Sequence, residues 1–172
     1  PIYLADQYGF NVKEIGLYAW FPYVGAMIGS LFGGWYVKHL MKNNSLDKSM
    51  KKVLAIGAGS IVGGSIIAIL VADTPEKLVS YVFVVLFGFQ VSISNIQTIP
   101  SDLLNEKSGG TLAGLGGSIG AVSVIIMNWL IPIITVDSYT PAFLILAVLA
   151  PLSVLSIFIL IKEIKPIQTN KS

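Results

Sequence analysis

The chain has no cysteine and no arginine, a single histidine, and only 12% charged residues in a length of 172. Without cysteine there is no disulfide framework, no thiolate zinc site and no cysteine nucleophile, and the redox compartment stays open. His39 stands alone between Lys38 and Lys42, so no metal site can be assembled around it. The 11 lysines are scattered singly or in pairs and the net charge is only +2, which argues against nucleic acid as a partner. All nine acids lie at the ends of uncharged runs or outside them. No carboxylate pair is therefore buried for proton work, Asp102 being the nearest candidate, and no catalytic constellation emerges; the expectation is a protein that is not an enzyme and holds no cofactor. The glycine-rich segment Gly114-Leu-Gly-Gly117 is not a phosphate loop, because no strand precedes it and no Lys-Ser/Thr follows.

What is present is apolar. Hydrophobic residues make up 54% of the chain and the mean hydropathy is +0.78, too little polar surface for a soluble domain of this size. Five uncharged runs, 15–37, 53–72, 78–101, 108–136 and 138–161, are each long enough for a helix rising about 1.5 Å per residue to cross a hydrocarbon core of roughly 30 Å. The expected fold is an all-α integral membrane protein with helices over 12–37, 53–72, 76–100, 109–135 and 140–162. Nine lysines fall on the side of the loops at 38–52 and 102–107 and the C-terminal tail, whereas the opposite side holds Lys13 and Lys77 against five acids. The positive-inside rule then makes the lysine-rich side, with the C-terminus, cytoplasmic. Pro1 is thereby placed outside with no start Met or signal peptide ahead of it, and the expectation is a fragment whose residues 1–4 close a preceding span.

Local signals divide the chain further. Asn11-Val-Lys-Glu14 has capping-box spacing, and Thr74-Pro75 pairs an N-cap with a first-turn proline. Gly25, Gly29 and Gly33 form one stripe, and Gly59 and Gly63 share the spacing, so close interhelical approach is expected at both. Lys51-Lys52 are expected to anchor the inner end of the second span, and Pro22, Pro132 and Pro151 to kink or open their helices. Glycines from 109 to 120 suit close packing on a partner helix or a bend.

The functional signal is Gln90-Val-Ser-Ile-Ser-Asn-Ile-Gln-Thr98 in the third span. On a helical wheel Gln97, Gln90, Ser94, Thr98 and Asn95 share an arc of roughly 160°, leaving Ser92 alone on the far side. Amides in lipid would be unpaired, so this face must look into protein or a wet cavity. Interhelical glue and the wall of a polar substrate pathway both remain open, with the cavity explaining so many amides and hydroxyls better. Asn128 in the fourth span is a further amide with the same two readings.

The segment Tyr8-Gly-Phe-Asn-Val-Lys-Glu-Ile-Gly-Leu-Tyr-Ala-Trp-Phe-Pro22, with Gly29-Ser-Leu-Phe-Gly-Gly-Trp35, resembles the eighth helix of hexuronate transporters in the anion:cation symporter branch of the major facilitator superfamily. Gly88-Phe-Gln90, Asn95, Thr98-Ile-Pro-Ser-Asp102 and Gly114-Leu-Gly-Gly117 extend the likeness through nearly the whole chain. It departs at Ala26-Met27, where an acid is frequent, at Phe89, where a His is, and at Val37-Lys38. The resemblance implies helices eight to twelve of a twelve-helix carrier in a bacterial inner membrane. Its partner would be the missing N-terminal half, its substrate a small anionic sugar acid, and a proton gradient would stand in place of any cofactor. Gln90 and Asn95 would then face substrate, with Ser94, Thr98 and Asn128 as weaker additions. A carrier for another organic anion, such as an aldonate or an amino-sugar acid, and a noncatalytic assembly subunit are the alternatives.

Overall fold

The computed structural model describes residues 2–42, 48–104 and 106–160. Among them every regular element is helical: α1 (Ile2–Tyr8), α2 (Val12–Met41), α3 (Lys48–Gly64) running on as a 3₁₀ segment (Ser65–Val71), α4 (Pro75–Ile96), α5 (Ile99–Leu103), α6 (Glu106–Ile134) and α7 (Thr140–Leu160). Five helices are long and apolar enough to cross a membrane, as the uncharged runs require. Their ends are sharp where the sequence supplies a cap. Asn11 Oδ1 accepts from the amides of Lys13 and Glu14 at 3.0 Å, and Glu14 Oε2 accepts from the Asn11 amide at 2.9 Å, closing the capping box. Thr74 Oγ1 accepts from the Lys77 amide at 3.3 Å, with Pro75 in the first turn.

Boundaries move at several places: α3 begins at Lys48 rather than residue 53, α4 ends at Ile96 rather than residue 100, and α6 begins at Glu106 rather than residue 109. The preceding helix extends to Tyr8 rather than closing at residue 4, and α2 runs to Met41 rather than residue 37, because Lys38, His39 and Leu40 are all good enough helix formers to carry an apolar span into the interface. α2, α6 and α7 remain continuous through Pro22, Pro132 and Pro151. The departure from α geometry falls after Gly63-Gly64 instead, where the 3₁₀ segment begins. Side chains three apart eclipse in such a helix, and Ile66, Ile69 and Ala72, spaced by three, all pack into one cluster with Leu4 and Leu78.

Three helices form the packed centre. α2 and α4 run parallel, with Gly25 against the Phe83 carbonyl, Gly29 against Phe87 and Gly33 against Val91 and Ser94. α3 runs antiparallel to α4, with Gly59 and Gly88 in mutual backbone contact and Gly63 beside them. At these positions a Cβ at Gly25 would come within 2.6 Å of the Phe83 oxygen, and one at Gly88 within 2.5 Å of the Gly63 nitrogen. Only glycine admits backbones this close. α7 covers the outer side of α3. α6 touches little among the described residues: from Gly110 to Ile134 no side chain is buried, and Gly110, Gly114, Gly116, Gly117 and Gly120 have open space where a Cβ would stand.

Candidate functional site

The polar stretch of α4 is divided by its neighbours. Taking Phe87 as the direction of α2, Gly88, Ser92 and Asn95 lie about 80–140° to one side and Gln90 and Gln97 about 60–80° to the other, with Ser94 and Thr98 between. The first group meets α3. Ser92 Oγ donates to the Ile56 carbonyl at 2.8 Å and lies 3.1 Å from Ser60 Oγ, so the hydroxyl expected to stand alone is the one buried most firmly in an interhelical contact. The wheel located Ser92 correctly, but the direction it faces is occupied by α3, where an unpaired hydroxyl would be costly. Asn95 is 4% exposed, and its Nδ2 donates to the Val91 carbonyl of its own helix at 2.8 Å.

The middle of the arc is also engaged. Ser94 Oγ donates to the Val91 carbonyl at 3.2 Å beneath Gly33. Thr98 Oγ1 donates to the Asn95 carbonyl at 2.9 Å and accepts from Lys52 Nζ at 2.6 Å. Lys52 in turn pairs with the Asp102 carboxylate. Lys51 and Lys52 are both 5% exposed. Residues expected to reach into headgroups are therefore packed inside, since α5 brings Asp102 over the start of α3. The lysine pairing was legible only as an excess of charge, because the bend that returns Asp102 toward α3 follows Thr98-Ile-Pro100 and not any periodic pattern.

Gln90 and Gln97 are on the open flank. Gln97 is exposed and Gln90 half-buried, and neither makes a hydrogen bond among the described residues. Among the described residues no buried side-chain nitrogen or oxygen lacks a partner, so the unpaired Gln90 amide reaches open space. That flank has a cavity of about 210 Å³, bounded by Tyr3 and Leu4 of α1, Tyr23 of α2, Val79 and Leu86 of α4 and Phe143 of α7, among others. Gln90 stands one turn beyond Leu86. Asn128 of α6 is exposed and remote from this flank's described lining. Thus Gln90 stands one turn beyond the last α4 residue lining the cavity, Asn95 is buried with its amide bonded to its own helix, Ser94 and Thr98 are engaged by neighbouring groups, and Asn128 lies on the uncovered helix.

The far end of the cavity is closed by aromatic and polar contacts between helix ends. Tyr3 meets Tyr139 and Phe143 edge-on at centroid distances of 4.9 and 5.5 Å, the Tyr139 hydroxyl donates to the Asp6 carboxylate, and Tyr8 donates to the Ala72 carbonyl at 2.9 Å. Tyr18 donates to Glu76 at 3.0 Å, linking the starts of α2 and α4. The hydrogen bond to Asp6 holds the Tyr139 phenol above its ordinary value, since losing the proton would set two negative charges side by side. No group of three or more metal-ligating residues occurs among the described residues.

Residues 1–128 match the profile of the Major Facilitator Superfamily. The chain belongs to this family. It is a family of membrane transporters, not of enzymes, and the five long apolar helices agree with a multi-pass membrane protein. The chain is similar to a hexuronate transporter of Escherichia coli strain K12, 27% identical over 167 residues, which is 95% of this chain and 38% of the relative. The corresponding protein of Escherichia coli O157:H7 gives the same figures. A galacturonate transporter of Dickeya chrysanthemi is 36% identical over 67 residues, 37% of this chain and 19% of that protein. No solved structure matches. The chain therefore spans 38% of the length of the hexuronate transporters it resembles.

Proposed function

We propose that this chain is the C-terminal transmembrane part of a proton-coupled secondary transporter that carries a hexuronate or a related sugar acid across a bacterial inner membrane, with its C-terminus in the cytoplasm. The likeness to the hexuronate transporters over 95% of the chain supports the substrate class. The observation that carries the site is Gln90: a half-buried amide without a protein partner, at membrane depth, on the flank of α4 that adjoins a cavity. An amide so placed offers both a donor and an acceptor to a polyhydroxylated solute. Asn95, Ser94 and Thr98 support that face from behind, and Asn128 contributes from α6 once the whole carrier is assembled. Lys52 and Asp102 neutralise each other, so the cation that receives the substrate carboxylate and the acid that couples transport to protons are assigned to the remainder of the carrier, across a cavity shared between two halves.

The test is uptake of labelled galacturonate and glucuronate by the full-length protein in proteoliposomes, with and without an inward proton gradient. Uptake that is stimulated by the gradient, and a KM raised several-fold by Gln90→Ala, are the expected results. Uptake of neither acid, or an unchanged KM in the variant, overturns the reading.

A further inference from the structure

We infer that Ser30 of α2 is a second solute-binding group, facing the same space as Gln90 and within about half a turn of its depth; this rests on the carrier reading above. Most other serine and threonine hydroxyls within these helices are engaged. Ser65, Ser80, Ser94, Ser118, Ser123, Thr135, Ser153 and Ser156 bond to carbonyls three or four residues back, and Ser60 and Ser92 bond each other. Ser49, Ser108 and Thr111 also have partners. Among the described serines and threonines only Ser30 and Ser101 make no hydrogen bond. Ser101 is exposed in α5 at the lysine-bearing end, whereas Ser30 is half-buried in the middle of α2. A serine inside a helix in an apolar medium normally bonds back to its own backbone, so a hydroxyl turned away from that bond has been left for something else.

Position supplies the partner. Ser30 follows Tyr23 by seven residues, which places it about 20° from Tyr23 on the helix surface, and Tyr23 borders the cavity. Gln90 follows Val79, another lining residue, by eleven, again about 20° away. The two stripes flank the same side of the seam between the parallel helices. Their depth is fixed by the glycine contacts: Gly29 meets Phe87 and Gly33 meets Val91, so Ser30 lies level with Gly88 of α4, about half a turn before Gln90. Since no buried polar side-chain atom among the described residues is without a partner, the Ser30 hydroxyl, like the Gln90 amide, opens onto accessible space.

A neutral hydroxyl near a neutral amide suits the hydroxyl edge of a sugar acid and not its carboxylate. Both groups donate and accept, so together they bracket an alcohol that must itself do both. The experiment is transport kinetics on the full-length protein with Ser30→Ala, Gln90→Ala, the double variant and Ser30→Thr, using galacturonate and a monodeoxy analogue series. Ser30→Ala should raise KM about five- to tenfold for the parent acid, the size expected for one lost hydrogen bond to a buried solute, and have little effect on one deoxy analogue. The double variant should cost less than the product of the two, and Ser30→Thr should restore most of the loss. Wild-type uptake of galacturonate with an unchanged KM in Ser30→Ala overturns the assignment of Ser30 while leaving the carrier reading standing. Failure of the wild type to transport any sugar acid overturns the carrier reading itself, and a KM increase equal for every analogue shows Ser30 to be structural and also overturns the assignment.

Discussion

Lys52 and Asp102 are joined across the α3–α5 contact, with 6% and 22% of their side chains exposed, and Thr98, at the corner between α4 and α5, also accepts from the ammonium. A buried ion stripped of its partner is costly, whereas replacing both partners by apolar residues of similar volume is often neutral. Lys52→Met should destabilise the protein by about 2 kcal/mol, toward the lower side for such a deletion because Asp102 keeps some contact with solvent. Lys52→Met with Asp102→Leu should recover most of it. Thermal unfolding in detergent, followed by helical circular dichroism, gives the comparison, and a double variant worse than the single would contradict it.

Gly29 and Gly34 separate close packing from open helix surface within one element. Gly29 sits against the Phe87 backbone, while nothing lies within 4 Å of a Cβ at Gly34. Gly29→Ala should cost about 1–3 kcal/mol by overpacking and lower transport. Gly34→Ala should be neutral or stabilising by up to about 1 kcal/mol, the helix-propensity gain of Ala over Gly. Equal melting temperatures for the two variants would show that α2 and α4 are not in backbone contact.

Asn95 and Gln90 should respond differently although both are amides in one polar run. Asn95→Ala removes a buried bond to the Val91 carbonyl of its own helix and is expected to lower stability by about 1 kcal/mol with a smaller effect on KM than Gln90→Ala. Gln90→Ala should leave the melting temperature within about a degree, since it breaks no bond in the protein. Measuring both quantities on both variants distinguishes support of the groove from contact with solute.

Tyr139 and Asp6 provide a pH dependence at the opposite end. The folded phenol titrates above the ordinary 10.0 because it donates to Asp6. Its contribution to stability is thus complete below the unfolded value and is lost as pH rises through the higher folded one. The clamp between α1 and α7 should hold through neutral pH and loosen only in alkali, and Tyr139→Phe should remove that alkaline phase from the unfolding profile. A profile in the variant that still drops at the same alkaline pH would assign the transition to another group.

Local signals in the sequence translated directly into structure. Asn11 with Glu14, and Thr74 with Pro75, depend on atoms a few residues apart, so their spacing carries the geometry. The stripe Gly25, Gly29, Gly33 likewise announced a close neighbour, though not that α4 would be the one. A wheel gives the direction of a side chain and not what stands there: Ser92 was placed at the correct azimuth, but only the course of α3 shows that this direction is a helix contact. Lys52 was read as an interfacial anchor for the same reason, because a fifty-residue return of the chain to Asp102 leaves no periodic trace. Ser30 went unnoticed since one serine among apolar residues is ordinary until the hydrogen bonds of every other are counted.

The seven residues from Ser65 to Val71 adopt a 3₁₀ helix, which rises about 2.0 Å per residue against 1.5 Å in an α-helix. This stretch therefore acts as a built-in spacer of about 3.5 Å that lifts the loop at Asp73 away from the bundle without added sequence. Each residue there also turns the chain by about 120°, so deleting any one of them would swing Ile69 out of its seat under Leu4 and Leu78. Length and azimuth at this end of the helix are thereby locked to each other.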